Sequence, residues 1–443
     1  MKSAVSAALC RAGPGARHTI AASSTSPRQP GLRSSQLLRS NTLHVEEASV
    51  PAPRNPTVSR RVFGIGLLLS PSIFAAGGAA GADAIRFGVS LGLTGKHAEP
   101  AEMQWRGYEL WRDDVNRRGG ILGQPVEITI VDDQSDPEWA KEIYRDLIAT
   151  RKVNLLFGPY SSEIADAIAP IVDENGYPTL LAGGASDKIW QQGYRNVFGV
   201  LVPASRHALE MLSLAVVHGL RRVAVVHADD TFSTDVGNGA ARWAHAAGLN
   251  VVLSLKFEKG TRDLRYIAAK AKVAGAELVV VGGHFDEAVD MRRALAKLGW
   301  YPRAYFATIG PTLQAYADIL KADAELTFAP SLWEPSLSLE FPGSREFIEA
   351  FGNAYRVLPS YHAANAFAAG QVIEAAIGAA GTVERDRVRA ALLALDVHVA
   401  TGRFRVDRYG VPIKHPSLVI QWLGGKRAIV WPEEHRMDIP IFA

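Results

Sequence analysis

Cysteine is all but missing. Cys10 is the sole thiol in 443 residues, and it stands in a segment expected to be removed. The mature chain is therefore expected to have no disulfide, no thiol nucleophile and no cysteine-bound metal. Past the leader no run reaches the eighteen or so uninterrupted apolar residues of a membrane helix, so the mature protein is expected to be soluble. Catalytic fingerprints are also wanting. No G-x-G-x-x-G follows a strand pattern. The stretch Gly92-Leu93-Thr94-Gly95-Lys96-His97 imitates the end of a phosphate-binding loop, but Ser90 stands where the first glycine belongs and His97 where Ser or Thr belongs. His227 with Asp229 and Asp230 hints at a metal, yet a strand-end histidine beside solvated acids is the commoner case. With no paired base and nucleophile in view, neither catalysis nor a cofactor is expected.

Acidic residues are scarce at the start. Residues 1–58 are rich in Ser, Ala, Arg and Pro, show no sustained period and read as an unfolded leader. Next come Arg60, Arg61 and Phe63, an apolar run too short and too broken by Gly and Pro to span a membrane, and then Ala82-Asp83-Ala84. Paired arginines, a short apolar core and an Ala-x-Ala site make an export signal, with residues 1–84 removed. The pattern resembles a twin-arginine signal at Arg60, Arg61 and Phe63, and departs from it at Gly64 and Ile65. Those 84 residues hold nine Lys or Arg against three acids, so the formal +3 of the whole becomes about −3 beyond Ala84. The basic balance belongs to the leader and makes no case for nucleic acid.

What remains is 48% hydrophobic and 21% charged in the whole chain, enough to bury two cores. Alternating apolar residues at 85–91 and 126–132 read as strands, and 99–116 and 138–150 as helices, with Pro137 at a helix start where its missing N–H costs nothing. Residues 154–173 read strand, turn at Gly158-Pro159, helix. Ser161 or Ser162 stands where an N-cap belongs, and the free N–H groups there suit a carboxylate. The alternation repeats with new residues from 222 to 307. Two series of strand and helix predict an α/β fold of two doubly wound parallel-sheet lobes. The turns at 92–97, 158–162, 182–186, 228–233 and 282–285 are expected to converge on a cleft between them. Late strands are expected at 399–406 and 417–423. The boundaries drawn are 85–202 plus 333–395 for the first lobe, and 203–332 plus 396–435 for the second.

With these residues in place, the chain resembles a type I periplasmic solute-binding protein of ABC transporters, in the branched-chain amino acid binding family. The likeness rests on the signal, Leu93-Thr94-Gly95 after the first strand, Asn116 to Gly123 before the second, Asp132-Asp133 after it, Gly158-Pro159 with Ser162, Asp229-Asp230-Thr231-Phe232, and Pro359-Ser360-Tyr361 before an Ala-rich helix. It covers nearly all of residues 85–430. The resemblance implies lobes joined by three crossover strands, closure on a small solute, delivery to the permease subunits of an ABC importer, a periplasmic location and a monomer. Ser162 matches the family's carboxylate-binding serine, with Ser161 beside it. Gly183 and Ala185 match positions that contact the head group, with Gly184 a further candidate between them; Ala185 replaces the usual Thr, and Ser186 stands ready with a hydroxyl. Phe232 and either His284 or Phe285 stand where aromatics are expected, and Tyr160 and Trp333 are candidates to stack on a ligand. The acid expected near 309–311 to hold a ligand ammonium is absent, which favours a carboxylate or neutral solute unless Asp229, Asp230 or Glu287 replaces it. The alternative, from another class, is a ligand-sensing subunit of a membrane receptor.

Overall fold

The computed structural model describes residues 83–336, 341–413 and 417–443. Arg60, Arg61 and Ala82 of the export signal, and Cys10, lie outside the described residues, whereas Ala84 directly precedes the first strand.

The first lobe grows from β1 (Ile85–Leu91), a strand buried on both faces at every position but Arg86, as a central parallel strand must be. The chain continues through α1 (Ala98–Arg117), β2 (Val126–Asp132), α2 (Pro137–Ala149), β3 (Leu155–Phe157), α3 (Ser162–Glu174), β4 (Thr179–Leu181), α4 (Asp187–Gln191) and β5 (Val197–Gly199). Its strands lie in the order β2-β1-β3-β4-β5, all parallel. The second lobe repeats the plan with α5 (Leu209–Val217), β6 (Arg222–Ala228), α6 (Thr231–Ala246), β7 (Asn250–Phe257), α7 (Arg265–Val273), β8 (Leu278–Gly282), α8 (Phe285–Lys297), β9 (Ala304–Ala307), α9 (Gln314–Leu320) and β10 (Thr327–Ser331). Its parallel strands run β7-β6-β8-β9-β10, the same pattern, extended by two antiparallel strands, β13 (Leu418–Leu423) and β14 (Lys426–Trp431). In each sheet the order reverses direction beside its first strand, between β1 and β3 and between β6 and β8, which is where such sheets open a crevice.

The chain passes between the sheets three times, after β5, after β10 and before β13. After β10 it returns to the first lobe as α10 (Ser344–Tyr355), α11 (Tyr361–Ala380) and α12 (Arg385–Ala394). Helix α11 has no polar face because it is buried nearly all round. Its small residues let α1 press close: a Cβ on Gly370 would fall 2.1 Å from Trp111 Cδ2, and one on Gly107 would fall 2.2 Å from the Ala363 carbonyl. A larger residue at either glycine would force the helices apart.

Two expectations need correcting here. The strand anticipated at 399–406 is a hairpin, β11 (Val397–Val399) and β12 (Gly402–Phe404), turning at Ala400 and Thr401. That hairpin also belongs with the first lobe: Val399, Phe404 and Val406 share a core with Phe87, Trp111 and Ile373. The second lobe therefore resumes with β13 and not at residue 396. Alternation of side chains along 397–406 carried no sign of which core would receive them.

Candidate functional site

The two switch points face each other, and the loops that leave them build the site. From the first lobe come His97, after β1, and Tyr160 to Ser162, after β3; from the second come Asp230 and Phe232, after β6, and His284, after β8. The lobes are closed. Phe232 and Ile309 of the second lobe are part of the first lobe's apolar cluster. Lys259 Nζ reaches across to Glu163 at 2.5 Å, with Lys96 on the same carboxylate at 3.2 Å, and the Ser186 hydroxyl donates to Asp235 of α6.

Inside, Tyr160, Ser162, Gly183, Ala185, Phe232, His284, Ile309, Tyr361 and His362 surround a space of about 10 Å³, room for roughly one water. A wider cavity of about 270 Å³ opens beyond His284, lined by Lys96, His97, Glu163, Asp230, Lys259 and Glu287. His97 and His284 meet ring to ring at 4.8 Å, one from each lobe, and His284 also packs on Phe232 at 5.2 Å. Gly183 is bare because Gln104 and Tyr160 crowd it, leaving a Cβ there 2.5 Å from Gln104 Nε2.

Ser161 occupies the N-cap position of α3, but its hydroxyl makes no capping bond and is buried without a partner. Ser162 Oγ accepts the backbone N–H groups of Ala185 at 2.9 Å and Ser186 at 3.0 Å, which ties the α3 start to the loop after β4. Its own O–H proton remains free to donate toward the cleft it lines.

The charges are ordered in pairs. Burial pushes the Asp230 carboxyl up, but His284 beside it and the hydroxyl and amide of Ser233 outweigh that and hold it well below its usual range. Burial likewise pushes His284 down, yet the charge and hydrogen bond of Asp230, whose Oδ1 lies 3.4 Å from Nε2, with Glu287, raise it above the ordinary histidine value. His97 is the opposite case: burial first, then the positive charges of His284 and Lys96, hold it well below that value. Burial, His284, Arg427 and His207 hold His362 down to about 3. Of these imidazoles only His284 is favoured in its charged form.

Of the residues singled out from sequence, Tyr160, Ser162, Gly183, Ala185, Phe232 and His284 line the closed space. Others do not. Phe285 packs in the second-lobe core, since α8 turns it away from the cleft. Trp333 is buried with Phe347 and donates its indole N–H to the Ala400 carbonyl at 2.9 Å, pinning two of the crossing segments together. Gly184 faces Ala165 and Leu181 beneath the loop. Ser186 gives its hydroxyl to Asp235, and Glu287 spends a carboxylate oxygen on the His284 N–H at 3.0 Å. His97, Tyr361 and His362 were not singled out as site residues, although His97 ends the 92–97 turn expected at the cleft and Tyr361 closes the Pro359-Ser360-Tyr361 run. A common signal existed, because each stands at or within a residue of a helix start, as His284 does.

No group of three or more His, Cys, Asp or Glu able to hold a metal occurs among the described residues, and His227 gives Nδ1 to a backbone carbonyl at 2.7 Å. The run Gly88-Val89-Ser90-Leu91-Gly92 spells a hydrolase-like G-x-S-x-G, but Ser90 lies inside β1, fully buried, and donates to Asp133 at 2.6 Å.

Comparison with known proteins agrees with this geometry. Residues 84–426 match the family described as periplasmic binding protein. The Leu/Ile/Val-binding protein homolog 7 of Brucella melitensis biotype 1 is 26% identical over 387 residues, covering 83% of this chain and 96% of that one. A leucine-binding protein of Thermotoga maritima has a similar fold, with a TM-score of 0.72 at 22% identity over 78% of this chain and 97% of that one. So has a solute-binding protein of R. palustris solved with benzoate, with a TM-score of 0.69 at 22% identity, over 78% and 95%. The expected resemblance holds: this chain is a ligand-binding protein and not an enzyme, it is similar to Leu/Ile/Val-binding homologues, and it belongs to the periplasmic binding protein family, with the type I fold.

Proposed function

We propose that the protein captures a small carboxylate-bearing solute between its lobes outside the cytoplasm and delivers it to the permease subunits of an ABC importer. The observation that carries the reading is the charge at the cleft. His284 and the donor Ser162 line one space from opposite lobes, and Asp230, on the wider cavity beyond, is already paired with His284. An ammonium would find Asp230 matched by His284 and Glu287 turned to the His284 backbone N–H, with the acid near 309–311 missing, and an unpaired buried cation is costly. The walls of Tyr160, Phe232, Ile309 and Tyr361 suit an apolar body on that carboxylate. A related fold holds benzoate, which has that chemistry. Export is supported by the sequence at Arg60, Arg61, Ala82 and Ala84.

Closure is then a population shift in which the solute bridges lobes that hinge on the three crossings. Binding at micromolar or better, about −8 kcal/mol, is the expected range. A melting screen of aromatic acids, short dicarboxylates, amides and amino acids is the direct test. At a hundredfold excess over its dissociation constant the true solute stabilises by about 2.7 kcal/mol. Stabilisation by amides or free amines, with none by carboxylates, would replace this reading.

A further inference from the structure

We propose that capture of the solute's carboxylate draws a proton onto His97, so that the protein binds its ligand together with one proton. The inference rests on the carboxylate reading above and adds the residue that balances the charge.

Most charged groups at the cleft already have charged partners, and Glu287 accepts the His284 backbone N–H at 3.0 Å. Lys96 and Lys259 share Glu163, at 3.2 and 2.5 Å, and Asp230 is matched by His284. His97 is left over: it is 2% exposed, and neither ring nitrogen has a hydrogen-bond partner. Its surroundings are the His284 ring at 4.8 Å, the Tyr160 ring at 5.5 Å, and the charges of Lys96, Lys259 and Asp230, with Asp286 and Glu287 on the wall of the same cavity and His362 behind Tyr160 at 5.6 Å. In the closed cleft burial and the neighbouring cations push His97 toward its neutral form.

A carboxylate placed against His284 is a surplus negative charge in a buried, balanced site. Leaving it uncompensated is costly, and His97 offers an unused pair of nitrogens a few ångströms away. The anion raises the affinity of His97 for a proton, and by linkage the proton raises the affinity for the anion by the same factor. The sign follows. Because His97 gains its proton on binding, affinity rises as pH falls, by up to about tenfold per pH unit while one full proton is taken up. His284 is the opposite case, since Asp230 beside it already raises its affinity for a proton.

The test is isothermal titration of the full chain with benzoate, leucine and benzamide at about pH 6, each in two buffers of different ionisation enthalpy. The expected result is uptake of about one proton with the carboxylate that binds, none with benzamide, and none with the carboxylate in His97→Gln. The dissociation constant of that variant should be flat between about pH 7 and 5.5. Should His97→Gln fold poorly, the His97 imidazole resonance of the unaltered protein, followed through pH with and without the carboxylate, reads the same proton. Tight carboxylate binding without proton uptake, or equal uptake in His97→Gln, overturns the inference and leaves the capture reading standing. Binding of benzamide with no carboxylate bound at all overturns both.

Discussion

Replacing Asp230 by Asn separates the charge of the cleft from its scaffolding. Asp230 does two jobs. Its Oδ1 accepts the Ser233 N–H at 3.0 Å and its Oδ2 the Ser233 hydroxyl at 2.5 Å, which caps α6, while Oδ1 also faces His284 Nε2 at 3.4 Å. Asn caps a helix about as well as Asp, so the first job survives the change. The second does not. A buried cation stripped of its partner would cost about 3–5 kcal/mol if it stayed charged. An imidazole has a cheaper course, since with an ordinary pKa of about 6.5 it sheds its proton near neutrality. The loss of stability at pH 7 is therefore capped at about 1–2 kcal/mol, and His284 becomes neutral. A carboxylate ligand then meets a neutral donor in place of an ion, a difference of about 1.4 kcal/mol, or a tenfold rise in the dissociation constant. Acidification to about pH 5 should reprotonate His284 and return most of that affinity. Stability behaves in the opposite sense. The depressed Asp230 contributes above its unfolded value near 3.9 and the raised His284 below its own near 6.5, so the melting gap between the two proteins is widest between those values and narrows above them. Calorimetric melting and titration of the carboxylate, each at pH 5 and pH 7, read both effects. An Asp230→Asn variant that binds the carboxylate unchanged at pH 7 would refute the claim that His284 charge holds it.

Two further changes test the closed arrangement. Ser162→Ala leaves the Ala185 and Ser186 amides without an acceptor, so it should lower stability by about 2–3 kcal/mol in a melt as well as weaken carboxylate binding severalfold; an unchanged melting temperature would mean that the loop after β4 is held by other contacts. Glu163→Gln cuts the ion pair that joins Lys259 to the first lobe, and because both lysines are about half exposed the loss is no more than about 1 kcal/mol. The expected sign is a two- to fivefold weaker affinity, together with loss of the salt dependence that the unaltered protein shows; equal salt dependence in both would place the closing charges elsewhere.

The sequence by itself determined the local elements and their alternation. Isoleucine and valine at every second position of 126–130, the glycine and proline turns, and the two repeated series were enough to give two doubly wound lobes, because period and turn chemistry are local properties. The strand-end loops at 92–97, 158–162, 182–186, 228–233 and 282–285 could be picked out for the same reason: in parallel sheets function gathers at carboxyl ends. What only the tertiary structure decided was which side chains of those loops face the cleft. His284 turns in and Phe285, its neighbour, turns out, since successive residues at a helix start point about 100° apart and only the packing of α8 fixes which is inside. Trp333 goes to the hinge, and the 397–404 hairpin goes to the first lobe, because both are held by partners more than sixty residues distant or on another helix. The pairing of Asp230 with His284, fifty-four residues apart, exists only once the second lobe folds, and the isolation of His97 across from it only once the lobes close. Charge balance in a buried cleft is a sum over neighbours brought from both halves of the chain, and no stretch of sequence contains it.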